Sequence, residues 1–108
     1  MRDAEAVADD VLIRVRDRRD REVILLARIW TDKILRDHPE MAGYLEAVMA
    51  VVRAPEHVEG DALPGRERVY RQDAGPSRWL LVVVSFEQQP GRVITALANR
   101  KDPKLWKP

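Results

Sequence analysis

Arg66, Arg68 and Tyr70 stand at alternate positions and are the residues of this sequence best suited to chemistry on an anion. In an extended strand successive side chains point to opposite faces, so these three share one face and Glu67, Val69 and Arg71 the other. Guanidinium groups bind phosphate oxygens through a planar fork that lysine cannot reproduce. The alternative for the same row is Arg–Glu pairing along an exposed edge strand. His38, between Asp37 and Pro39-Glu40, is the second candidate. Imidazole titrates near neutrality and passes protons both ways, which suits a general acid or base; the alternative is a partly exposed capping histidine. His57 follows a helix stop and reads as a plain histidine. Thr95, a polar residue in an apolar hairpin, needs a hydrogen-bond partner, which is a backbone carbonyl or a substrate. Asn99 shares its face, and Arg100-Lys101-Asp102-Pro103-Lys104 continues as a basic exit.

Other chemistries leave no pattern. The sequence holds no glycine-rich phosphate loop, no Ser-His-Asp arrangement, no paired-carboxylate site and no His-x-x-x-His motif. With two histidines and no cysteine, neither a catalytic zinc nor any other metal or cofactor is expected. The absence of cysteine also removes disulfides and agrees with a reducing compartment. No apolar run reaches the roughly 20 residues of a membrane span, and the polar start Met1 to Asp10 lacks a signal-type apolar core, so the expected location is the cytoplasm. The net charge of +1 hides an asymmetry: residues 1–60 carry 10 Lys/Arg against 13 Asp/Glu, and residues 61–108 carry 9 against 5. The basic half is the one that holds the arginine row, as an anion-binding surface requires; ordinary surface charge is the alternative.

The elements that must position these groups follow from periodicity. The length of 108 residues fits a single domain, 1–108, with residues 1–8 and 103–108 expected to be frayed. Val11 to Arg16 and Glu22 to Leu26 read as a hairpin around the polar Asp17–Arg21 turn, against a competing helix that would start at Asp20 and run to Arg36. Leu26, Ile29, Trp30 and Ile34 fall at helical spacing, and the helix must end before Pro39. A second helix takes Pro39 into its first turn and buries Met41, Tyr44, Leu45, Val48, Val51 and Val52 until Ala54-Pro55 stops it. A short strand near 57–61, a strand 66–71, an apolar strand 79–86 and a strand 93–98 follow, with a type II turn expected at Gln89-Pro90-Gly91-Arg92. The fold class is therefore α+β: an N-terminal hairpin and two helices packed on a mainly antiparallel β-meander of about four strands. Trp79, Leu81 and Val83 alternate with Leu80, Val82, Val84 and Phe86, so both faces of the central strand need cover. The Met41–Val52 helix is expected on one face, and the hairpin, the other helix or a second subunit on the other.

This order of parts, with Arg36-Asp37-His38-Pro39-Glu40-Met41, Arg53-Ala54-Pro55-Glu56-His57-Val58, Arg66 to Arg71, Trp79 to Val84 and Ile94-Thr95-Ala96, resembles the phage- and toxin-associated branch of the barnase, EndoU, colicin and RelE-like nuclease superfamily over roughly residues 9–102. The resemblance implies a four-stranded antiparallel sheet with helices on one face, and cleavage of RNA through its 2′-OH without a metal. By motif, His38 would be the acid or base, Arg68 and Tyr70 would hold the phosphate, and Thr95 would line the site. Arg66, Arg78, Asn99, Arg100 and Lys101 complete the set expected to bind substrate. The first helix departs from the family pattern, opening at Leu26-Ala27 with no hydroxyl cap. RNA and an antitoxin protein are the partners this implies. A non-catalytic RNA- or partner-binding module and a structural homodimer are the alternatives on the same fold.

Overall fold

The computed structural model describes residues 10–100. The expectations for residues 1–8 and 103–108, and Lys101 of the expected site, lie outside them. Among the described residues six strands form one mixed sheet: β1 (Val11–Arg16), β2 (Glu22–Leu26), β3 (His57–Gly60), β4 (Arg66–Gln72), β5 (Trp79–Ser85) and β6 (Gly91–Asn99), in the order β1-β2-β6-β5-β4-β3. Strands β3 to β6 are the expected meander. The hairpin is a correction to the expected architecture: β2 joins β6 in parallel, Val23 opposite Gly91 and Ile24 opposite Arg92, so β1 and β2 extend the sheet sideways and do not cover its face.

The competing helix from Asp20 does not form. Asp20 has φ of 62° in the hairpin turn, a conformation that an aspartate tolerates and a helix start does not use. Helix α1 comprises three consecutive segments, Ala27–Ile29, a π-helical turn Trp30–Ile34 and Leu35–Asp37. Its N-cap Leu26 makes no side-chain cap hydrogen bond; instead the Ala27 N–H donates to the Asp10 carbonyl at 2.8 Å, so the chain before β1 satisfies an orphan donor. His38, at φ −136° and ψ 71°, leaves the α region as a residue before proline must. The expected second helix is broken: Pro39–Met41 is a single 3-10 turn, Gly43 takes a positive φ of 88°, and α2 begins at Leu45 and ends at Arg53.

Both helices lie on the same face. Ile34, Met41, Val48, Met49, Val51 and Val52 pack on Val23, Leu25, Val69, Leu80, Val82, Val84, Val93 and Ala96. The opposite face carries Tyr70, Trp79, Leu81 and Val83, with Ile94 and Leu97 packed against them. Trp79, Leu81 and Val83 are each no more than 8% exposed within the single chain, so the cover that their alternation required comes from within the chain. A bulge sets which β6 residues face which way. Val83 pairs with Thr95 but Val84 with Val93, so Ile94 is the extra residue, and Thr95 shares a face with Leu97 and not with Val93.

The β5–β6 turn also differs from expectation. The Gln89–Pro90 bond is cis, and Gly91 has no positive φ, which a type II turn would need at that position. Gly91 instead opens β6 against β2, where an added Cβ would lie 2.8 Å from Phe86 Cδ1 and Cε1 and 3.4 Å from the Glu22 carbonyl oxygen. The Phe86 ring is held in turn by the Arg21 guanidinium, 3.7 Å from its centroid. Gly91→Ala is therefore expected to destabilise by about 1–3 kcal/mol, the usual cost of overpacking, and to appear as a lowered melting temperature in circular dichroism. An unchanged melting temperature would mean that the ring yields freely.

Candidate functional site

The strand register assembles an arginine band that no local stretch of sequence contains. Across the helix-free face, Arg14 on β1 lies opposite Ile24, Ile24 opposite Arg92 on β6, Arg92 opposite Ser85, and Ser85 opposite Arg66 on β4. With strands about 4.8 Å apart, these three guanidinium positions span roughly 19 Å. Arg14 is paired with Glu22. Arg92 is exposed, and Arg66 is half-buried with an Nε that has no hydrogen-bond partner. A second row runs beside the first: Glu59 opposite Arg68, Arg68 opposite Val83, and Val83 opposite Thr95. Arg14 and Arg92 were missed from sequence because they lie in strands far apart in the chain. Only the pairing of β2 with β6 places them in one row.

Arg68 Nε donates to Asp61 Oδ1 at 2.7 Å, and 38% of the side chain remains exposed. The bond to Asp61 raises the Arg68 pKa against the opposing effect of burial, and the same bond holds the Asp61 carboxyl below its ordinary range. Tyr70 is fully buried, with its hydroxyl donating to Glu59 Oε2 at 2.5 Å. Burial first, and then the Glu59 carboxylate, push its phenol above the ordinary range, while Arg68 acts in the opposite direction. Tyr70 is thus a fixed neutral donor that orients Glu59. That is a different task from holding a phosphate directly, which was expected of it.

The remaining expected residues divide between two places. Asn99 and Arg100 line a cleft of about 550 Å³ together with Glu40, Pro76, Ser77 and Ala98. The fold thereby brings the His38-Pro39-Glu40 turn to the end of β6. His38 itself is partly buried, with Nδ1 3.7 Å from Glu40 Oε2. It lies in the turn between helical segments, where its N–H donates to the Ile34 carbonyl, and not on a strand with Arg68 or Thr95. Arg78 is exposed in the β4–β5 connection, where its carbonyl accepts from the Asp73 N–H at 2.8 Å.

A larger cleft of about 730 Å³ lies at the opposite end, between the β1–β2 turn and the β5–β6 turn, and is lined by Arg16, Asp20, Arg21, Phe86, Gln88 and Gln89 among others. Both of its arginines are already engaged, Arg16 with Asp20. Arg21 pairs with Asp17 at 2.7 Å and Glu67 at 3.1 Å, and Arg18 and Arg19 also reach Glu67. This network ties the hairpin turn to β4 and reads as structural. Among the described residues no group of three or more His, Asp or Glu is placed to hold a metal ion, and no helix is long and apolar enough to cross a membrane. Comparison of the chain with protein-family models, with curated proteins and with solved structures found no match.

Proposed function

We propose that the chain is a ribonuclease-like domain that binds RNA across the helix-free face of its sheet and cleaves it without a metal. The observation that carries this reading is the row Arg14–Ile24–Arg92–Ser85–Arg66, with Arg68 and Thr95 in the row beside it. Cations spaced along a line suit a ligand with regularly spaced phosphates better than a single small anion. Arg68 is the group best placed for charge stabilisation, since Asp61 fixes its Nε while the side chain stays partly exposed. Thr95 supplies a hydroxyl on the same face. Asn99 and Arg100 extend the track into the cleft beside the His38-Pro39-Glu40 turn, where His38 is the proton-transfer group that the sequence points to.

The reaction proposed is transesterification. The 2′-oxygen gives up its proton to a base and bonds to the adjacent phosphorus, the P–O5′ bond breaks, and the 5′-oxygen collects a proton. The products are a 2′,3′-cyclic phosphate and a 5′-hydroxyl, and the mass balance needs no further reactant. Purified protein incubated with tRNA and mRNA in EDTA is expected to give fragments with these ends. Arg68→Ala is expected to slow cleavage by about 100-fold, the usual effect of removing one charge-stabilising donor. Absence of cleavage by the wild type, or equal cleavage by Arg68→Ala, would sink the reading.

Retention of RNA without turnover would instead support a non-catalytic binding module, which the placement of His38 off the strands of Arg68 and Thr95 favours. For either reading the double variant Arg66→Ala/Arg92→Ala is expected to weaken single-stranded RNA binding. It should make the plot of log K against log salt shallower by about 1.4, or 0.7 per lost phosphate contact. Filter binding at several salt concentrations measures the slope, and an unchanged slope would remove the band from the interface.

A further inference from the structure

His57 reads as unremarkable in the sequence, yet the fold gives it the surroundings of a proton-transfer group. It sits on edge strand β3 opposite Tyr70, on the same face as Arg68, with the His57 and Tyr70 rings 5.4 Å apart. Its Nε2 lies 3.5 Å from Glu59 Oε1, within ion-pair range. The same Nε2 is buried and has no hydrogen-bond partner, so its approach to Glu59 falls short of a hydrogen bond in its alignment. Protonation turns that contact into a charged pair. Glu59 is in turn held by the Tyr70 hydroxyl through its other oxygen, at 2.5 Å. The ring is therefore backed by a fixed carboxylate, and Nδ1 is the nitrogen left for another partner. The ionisable groups around it are Glu59 on its own strand, Tyr70 opposite, and Arg68 with Asp61 beyond Tyr70. His38, by contrast, stands in the turn between helical segments with Glu40 beside it.

We propose that His57, backed by Glu59, is the base that takes the 2′-OH proton on the Arg68 face, with Tyr70 as a positioning residue. The inference rests on the ribonuclease reading above and gives His57 the base role that the sequence left open at His38. In the proposed step Nδ1 accepts the proton as O2′ bonds to phosphorus. The P–O5′ bond breaks, the leaving oxygen takes a proton from water, and the imidazolium later returns its own to solvent. Charge and mass close with water as the only co-reactant. Glu59 gains its full attraction when the imidazolium forms, so it stabilises the transition state more than the resting state.

The test is the pH dependence of kcat/KM for cleavage of a short RNA in EDTA, for the wild type and for His57→Gln, Glu59→Gln and His38→Ala. His57→Gln is expected to lose about 100-fold or more in rate while binding RNA as the wild type does. Glu59→Gln keeps a hydrogen-bond acceptor for Tyr70 but removes the charge that favours imidazolium. Its acid limb should therefore move to lower pH, a shift that a purely structural role would not produce. Imidazole NMR titration follows the same pKa without turnover and should show His57 alone shifting down in Glu59→Gln. An active wild type whose rate and acid limb are unaltered by His57→Gln, with loss confined to His38→Ala, overturns this inference and leaves the ribonuclease reading standing. An inactive wild type overturns the ribonuclease reading, and the base role falls with it.

Discussion

Ile34→Ala is expected to lower the stability of the fold by about 3–4 kcal/mol, the range for removing most of a fully buried isoleucine when the surroundings relax only partly. Ile34 closes the π-helical turn of α1 and has no exposed surface. It is part of the core that joins the helices to the sheet. Its carbonyl also accepts from the His38 N–H at 2.7 Å, the last backbone bond before the chain turns at Pro39. The substitution keeps that bond but empties the space beneath it. Urea unfolding is the measurement: the midpoint should fall while the slope m stays constant. A loss below about 1.5 kcal/mol would show that the core collapses around the site. Because the row that holds Arg66 and Arg92 lies on the other face, RNA binding at a temperature where the variant is folded should be near that of the wild type.

Asp17→Ala is expected to cost about 2–3 kcal/mol at neutral pH, since it removes three hydrogen bonds to a buried carboxylate and leaves Arg21 short of a partner. Asp17 Oδ1 accepts from the backbone N–H groups of Arg19 at 2.9 Å and Arg21 at 2.8 Å, and Oδ2 accepts from Arg21 Nε at 2.9 Å. Arg21 in turn stacks on Phe86 and reaches Glu67 on β4. Burial alone would raise the Asp17 pKa, but the Arg21 backbone and guanidinium bonds, with that of Arg19, bring it below the ordinary value.

The sign of the pH effect follows. A folded-state pKa below the unfolded value contributes stability above about pH 4, and that stability is lost as pH falls through the folded pKa. The stability gap between the wild type and Asp17→Asn should therefore be widest near neutrality and shrink below about pH 4. Thermal melts across pH 2.5 to 7 would measure it. A gap that stays constant over that range would mean that the charge of Asp17 contributes nothing beyond its shape.

Local chemistry made the strands legible. The alternation of β4 put Arg66, Arg68 and Tyr70 on one face, and the run Trp79 to Phe86 marked the strand at the centre of the meander, which the structure ends one residue earlier at Ser85. Pro39 and Pro55 marked real interruptions, because a residue before proline is pushed from the α region whatever surrounds it. The break at Gly43 was less legible, since the apolar spacing from Met41 to Val52 continues across it. Of the expected site residues, Arg66, Arg68 and Thr95 share one face of the sheet. The partners of Arg68 and Tyr70, which are Asp61 and Glu59, were hidden because Glu59 lies on a strand too short and polar to show a pattern of its own and Asp61 just beyond its end.

By itself, then, the sequence determined the strands, the two helical regions and, along β4 and β5, the face each residue takes, because period and proline restriction act over a few residues and need no partner. Tertiary structure alone decided that β2 runs parallel to β6, that both helices share one face, and that the Ile94 bulge turns Thr95 toward Arg68. Those outcomes depend on contacts between segments far apart in the chain, where an apolar face specifies that it must be covered but not by what. The arginine band across β1, β6 and β4, and the pairing of His57 with Glu59 beside Tyr70, belong to the same class. They exist only once the register between strands has been set.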